Sequence, residues 1–202
     1  MTERGMIFNG EMVRAILDGR KTQTRRPVNP STANLLDLQG QYPHKKYNIS
    51  CPFGAIGDRI WVRETWAEAG ASAPDLKLYR ANYPAHVPAH YENVPPAQDV
   101  RWTPSIHMPR WASRILLEIT DVRVERLNDI SEEDARAEGI IDGGCLNCGE
   151  PEPCGCANPE PDATDAFAYL WQSIYGQENW NANPWVWVIE FNRIEGDGHA
   201  TD

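Results

Sequence analysis

"RILLEITDVRVERLNDISEEDARAEG", residues 114–139, changes its period in the middle. In the first half Ile115, Leu117 and Ile119 alternate, and Val122 and Val124 continue the run, which predicts a long strand. In the second half Ser131 precedes Glu132, Glu133 and Asp134. A serine N-cap followed by carboxylates in the first turn suits the positive end of a helix dipole, so a short helix follows the strand.

Similar signals lie on both sides. Upstream, "GDRIWVRETW" (57–66) predicts a strand introduced by a Gly-Asp turn, with Ile60, Val62 and Glu64 on one face and Trp61, Arg63 and Thr65 on the other. Downstream, "DATDAFAYLWQSIYG" (162–176) predicts a helix that buries Phe167, Leu170, Trp171 and Ile174. "NPWVWVIEFNRI" (183–194) closes the chain as an alternating strand with Trp185, Trp187, Ile189 and Phe191 on one side. Near the N-terminus, residues 11–18 pair Met12 with Ile16 and Val13 with Leu17 on a short helix that Gly19 stops. Residues 27–57 read as an irregular loop, and the Pro- and Ala-rich residues 69–104 as an insertion draped over the domain. Strands separated by helices and loops predict an α+β fold around a small mixed β-barrel with flanking helices.

The chain has 202 residues, enough for one well-buried domain with insertions at about 69–104 and 141–163. No run of about 18 apolar residues is present, so no membrane span is expected. Met1 to Gly5 lack the charged-then-apolar pattern of an export signal, and the five cysteines do not form an even secreted framework; both point to the reducing cytoplasm. Nineteen basic against twenty-nine acidic residues give a net charge of −10. That opposes gripping a long polyanion, where affinity grows with each neutralised phosphate. A small ligand is favoured, bound by a monomer or small homo-oligomer, with polymer binding weak or absent.

Against this acidic background, "ILDGRKTQTRRP" (16–27) packs Arg20, Lys21, Arg25 and Arg26 around two threonines. Cations so crowded repel one another. They need an anion or a polar ligand, or else they form a solvated surface. With "GDRIWVRETW", "ISEEDARAEG" and the terminal "VWVIEF", this stretch resembles the ASCH-domain family, a branch of the pseudo-barrel superfamily that includes RNA-binding PUA domains. The family signature is Gly-x-Lys-x-x-Glu-x-Arg. Gly19, Lys21 and Arg26 match it, while Thr24 stands in place of the glutamate. The Lys-x-x-Thr-x-Arg form is similar to that of small amidohydrolases that deacylate N4-acetylcytidine, and also to longer ASCH proteins of phage and metagenomic origin. The resemblance implies Lys21, Thr24 and, on the later short helix, Glu138 as catalytic residues, with a nucleoside as substrate. Other activities implied by the superfamily are a non-catalytic RNA- or DNA-binding module and a nuclease.

Amide hydrolysis needs a nucleophile, a base, and a proton for the leaving amine. The Thr24 hydroxyl serves as nucleophile only beside a base, and Lys21 serves as base only when neutral. Burial and the neighbouring arginines lower its pKa, whereas a carboxylate such as Glu138 raises it. The other reading leaves Lys21 and Arg26 solvated and gives Thr24 to a turn. Arg20, Arg26, Glu64 and Trp66 are the expected substrate contacts, Trp66 by stacking on a pyrimidine; a Trp past a strand also serves as core. His44, Lys45 and Lys46 form a solvated cluster, and His107 has no neighbour to activate it.

"CLNCGEPEPCGC" supplies Cys145, Cys148, Cys154 and Cys156, two close thiolate pairs that suit tetrahedral zinc. The other reading is a redox pair or reduced loop thiols. Four thiolates close the coordination shell and leave no place for water, so such a zinc is structural and none is needed for chemistry. Cys51 stands alone. Elemental analysis is expected to find about one zinc per chain. Chelation is expected to expose residues 143–161 to proteolysis while folded protein retains its chemistry; loss of turnover in folded, stripped protein contradicts the structural role.

Overall fold

The long alternating runs pair with one another in the computed structural model, which describes residues 1–70, 73–141 and 163–194. In chain order the elements are β1 (Glu3–Ile7), α1 (Gly10–Leu17), β2 (Gln23–Pro27), α2 (Pro30–Gln41), β3 (Arg59–Arg63), β4 (Trp66–Glu68), β5 (Lys77–Tyr79), β6 (Leu116–Arg126), α3 (Glu132–Ala137), α4 (Ala163–Tyr175), α5 (Gln177–Asn181) and β7 (Trp185–Ile194). Strands β1, β3, β6, β7 and β2 form one mixed sheet in that order, and β4 pairs with β5 in a separate ribbon. The β1–β3 pair is parallel, whereas β3–β6 and β2–β7 are antiparallel. The fold is therefore α+β. No closed barrel is found among the described residues, and β1 and β2 are the ends of the sheet.

The chain divides into two compact units: Met1–Gly19, Gly57–Ile119 and Asn192–Asp202 form the first, and Arg20–Ile56 with Thr120–Phe191 the second. In the first unit, Asn9 caps α1 by accepting from the Met12 N–H, and Gly19 ends the helical segment with φ +75°, which a side chain disfavours. Val13, Ala15 and Ile16 are its buried residues. On β3, Ile60 and Val62 are buried and Glu64 follows them inward, the alternation expected from the sequence.

In the second unit Ser131 accepts from the Asp134 N–H and starts α3. Glu132 then accepts from the backbone N–H groups of Ala163 and Thr164 at 2.9 and 3.0 Å, so one α3 carboxylate caps α4 where its dipole is positive. Leu127, Ile130, Ala135, Phe167, Trp171, Val186 and Val188 pack into one cluster.

Three sequence expectations change. Residues 27–57 are not wholly irregular, because Asn29 caps α2 by accepting from Thr32 and Pro30 occupies its first turn. No α2 residue is buried, so it carries no apolar stripe to betray it. On α4, Phe167 and Trp171 are buried as expected, but Leu170 is half-buried and Ile174 is 47% exposed; the buried face is narrower than the apolar one. On β7, Val186 and Val188 are buried along with Trp187, Ile189 and Phe191, while Trp185 is half-buried. A strand inside a sheet and covered on both faces buries successive residues, whatever their alternation.

A Cβ on Gly5 would stand 2.6 Å from the Trp61 ring across the β1–β3 pair and 3.0 Å from Arg63 Cδ. The Arg63 guanidinium lies over that indole, at 5.4 Å from the ring centroid. Gly5→Val is expected to destabilise by about 1–3 kcal/mol through this overpacking, read as a lower Tm by calorimetry; an unchanged Tm shows the indole moves aside without cost.

Candidate functional site

The edge of β2 meets the C-terminal end of α3. The Thr22 N–H donates to the Ala137 carbonyl at 2.8 Å, and Lys21 and Glu138 form an antiparallel bridge. Glu138 is the C-cap of α3, its N–H bonded to the Asp134 carbonyl. On the opposite side of the segment, the Phe191 N–H of β7 donates to the Thr22 carbonyl. Backbone pairing on both sides thus fixes residues 21 and 22, and β7 alone pairs the residues that follow, before any side chain is considered.

Lys21 is 2% exposed and Glu138 4% exposed. The Lys21 Nζ donates to Glu138 Oε2 at 2.7 Å and to the Glu138 carbonyl at 2.9 Å. An ammonium has three N–H donors, whereas a neutral amine has two and a lone pair. Among the described residues Lys21 makes two hydrogen bonds, both to Glu138, the number of donors that a neutral amine has. Burial lowers the Lys21 pKa; Glu138 opposes this by charge and hydrogen bond, and Arg26 and Arg25 add to the lowering. The net direction is downward.

Arg25 has no exposed side-chain surface and sits among three carboxylates. Its Nη1 donates to Glu138 Oε1 at 3.1 Å, its Nη2 to Asp134 Oδ2 at 2.7 Å and to Glu125, and its Nε to Glu125 Oε1 at 3.2 Å. Its Cζ lies 5.7 Å from the centroid of the Phe167 ring. Gln23, also buried, donates to the Asp134 carbonyl at 2.7 Å. On the other side of the cluster Arg123 donates to Asp134 at 2.8 Å and to Glu190. Desolvation alone would raise the Asp134 pKa, but Arg25 and Arg123 hold its carboxyl below the usual range.

The expected catalytic set is brought together in part. Lys21 and Glu138 are in direct contact. Thr24 is buried on β2 opposite Ile189, and strand alternation puts it on the face away from Gln23 and Arg25. The Lys21 bonds go to Glu138, not to Thr24. Arg20 is exposed and donates to the Gly139 carbonyl at 2.9 Å, while Arg26 is half-buried beside Thr24 on the strand.

Glu64 and Trp66 belong to the first unit, and both are buried. Glu64 is buried and takes a forked ion pair from Arg114 at 2.9 and 3.0 Å. Arg114 also donates to Asn82 and lies 4.0 Å from the centroid of the Tyr79 ring. Burial raises the Tyr79 pKa to about 12, against the pull of Arg114. Trp66 packs with Tyr79, Met108 and Ala112, the core role that a Trp in this position also fits. Cys145, Cys148, Cys154 and Cys156 lie outside the described residues, and among the described ones no group of metal-ligating side chains is present.

Sequence reading missed Arg25 as a centre, because four neighbouring cations look alike until strand alternation separates them. Trp187, expected on the apolar side of its strand, is buried opposite Arg26 in the β2–β7 register, and its indole N–H has no acceptor among the described residues. No helix among the described residues is long and apolar enough to cross a membrane. Comparison with family models, curated proteins and solved structures finds no match.

The direction at Lys21 has a consequence for stability. A lysine whose folded pKa lies below its unfolded value near 10.4 leaves the unfolded chain binding more protons between those two values. Its contribution therefore becomes more favourable as pH rises through that window. Urea unfolding of the parent and of Lys21→Met, compared at successive pH values up to about 10.4, is expected to show the difference growing in favour of the parent. A difference that shrinks over the same range reverses the sign assigned to Lys21.

Proposed function

We propose that this chain is an amidohydrolase that removes the acyl group from N4-acylated cytosine nucleosides or bases, on an ASCH-like pseudo-barrel with a structural zinc loop, in the cytoplasm. The observation that carries the reading is the buried Lys21–Glu138 pair, in which burial pushes the lysine pKa down against the pull of Glu138. In its neutral form such an amine accepts the proton of the attacking hydroxyl, and the lowered pKa favours that form. The attacking oxygen adds to the acyl carbon, the C–N bond breaks, and the exocyclic nitrogen leaves with a proton returned from Lys21. An attacking water gives the free acid at once, whereas an attacking Thr24 is left as an ester. A water, giving its proton to Lys21, then hydrolyses that ester to the acid and the regenerated hydroxyl. Glu138 holds the amine in place through both exchanges, as a third triad member does for a histidine.

Two nucleophiles fit this scheme, the Thr24 hydroxyl and a water. The family resemblance favours Thr24, whereas its place on the far face of β2 from Arg25 favours water. The cationic stretch supports a neutral substrate, because Lys21 and Arg25 already face the chain's own carboxylates.

Incubation with N4-acetylcytidine, followed by chromatography, is expected to yield cytidine. Lys21→Ala is expected to lower turnover by at least about 10²-fold, the scale of a positioned proton acceptor. Thr24→Ala decides the nucleophile: a loss of similar size assigns Thr24, and near-parental turnover assigns water. Normal hydrolysis by Lys21→Ala overturns the site. Tight, sequence-specific RNA or DNA binding with no turnover of acylcytidines favours a binding module instead.

A further inference from the structure

Glu138 has two oxygens and two cationic partners. Oε2 accepts from Lys21 at 2.7 Å, and Oε1 accepts from Arg25 at 3.1 Å. Arg25 is also held by Glu125 and Asp134, so its guanidinium cannot move further toward Glu138 and Lys21 without breaking those bonds. The carboxylate is therefore stretched between a fixed cation and an amine. We propose that Arg25 is a positioning residue: by holding Oε1 of Glu138 it divides that carboxylate with Lys21 and keeps the lysine amine open to receive a proton. This rests on the amidohydrolase reading above, and it assigns to that reaction a residue outside the expected set of Lys21, Thr24 and Glu138.

The electrostatic logic has three parts. A carboxylate served by Lys21 alone concentrates its charge on the amine and favours the ammonium. Arg25 withdraws part of that charge through a second bond to the same group. Its own positive charge further opposes protonation of Lys21, in the same direction as burial and Arg26. Glu125 and Asp134 moderate the effect because they neutralise Arg25, and Arg123 in turn neutralises Asp134 and Glu190. A lysine in place of Arg25 cannot do the same work. It presents one ammonium, whereas the planar fork reaches three carboxylates from one position.

The test reads Lys21 directly, without turnover. NMR titration of the full chain with isotope-labelled lysine side chains, assigned by Lys21→Met, follows the Lys21 amine. In Arg25→Gln the Lys21 titration is expected to move upward by about one pH unit or more, the scale of a lost charged neighbour. In Arg25→Lys it is expected to move upward as well, because the charge remains but the shared bond to Glu138 is lost. An unmoved titration in folded Arg25→Gln overturns the proposal, and parental behaviour of Arg25→Lys overturns its geometric part. If either variant fails to fold, Glu125→Gln carries the test: with less competition Arg25 draws harder on Glu138, and the Lys21 titration is expected to fall. No change or a rise there overturns the inference. In N4-acetylcytidine hydrolysis the rising limb of kcat/KM against pH is expected to follow the same shifts. A protein that shows the NMR shifts and no turnover keeps the role of Arg25 toward Lys21 and rejects the amidohydrolase reading.

Discussion

The guanidinium of Arg25, buried among Glu125, Asp134 and Glu138, ties three elements of the second unit to one point. Glu125 lies on β6, Asp134 on α3 and Glu138 at its C-cap, while Arg25 itself belongs to β2 and its cation lies over Phe167 of α4. Of its five N–H donors, four are used in these contacts. An apolar side chain in its place would leave Glu138 to Lys21 alone and Glu125 and Asp134 to Arg123. Removing one partner of such a pair costs roughly 3–5 kcal/mol, although the complete pair adds little over a well-packed apolar core. The network therefore specifies how β2, β6 and α3 meet more than it adds stability.

The same geometry answers the puzzle of four cations crowded into seven residues. Strand alternation sends Gln23 and Arg25 to the face where Asp134 and Glu138 wait, and Arg26 to the other face with Thr24. Arg20 stays exposed and bonds the Gly139 carbonyl. Mutual repulsion is relieved by separation and by internal anions. A chain of net charge −10 has such anions in excess, and it spends several of them on this one segment.

Much of the fold was legible because strands and caps are local. The period-2 run at 115–119, the Ser131 cap and the alternation at Ile60 and Val62 are each decided by neighbours in sequence. Elements decided by the rest of the chain were not legible. Helix α2 buries no residue, so only its Asn29–Pro30 start marks it. The two-sided burial of β7 follows from its place between β6 and β2, which no alternation within 183–194 can reveal. The site belongs with these. The contact of Lys21 with Glu138 joins residues 117 positions apart, and neither it nor the burial of Glu64 with Arg114 is decided by neighbours in sequence.

The sign at Lys21 shows why such a site cannot be read from residue types alone. Glu138 raises the lysine pKa by charge and by hydrogen bond, and a list of neighbours would predict an ammonium. Burial works the other way and is the largest effect. Burial in turn depends on the backbone bridge between residues 21 and 138 and on the pairing of Thr22 with Ala137 and Phe191. An ordinary surface lysine beside a glutamate gains from the contact and stays charged. Here the backbone pairing removes water from the pair, which pushes the Lys21 pKa down, and Arg25 shares the carboxylate that pulls it up. The chemistry of the amine is thus set by strand pairing, one level of structure above the side chains that carry it.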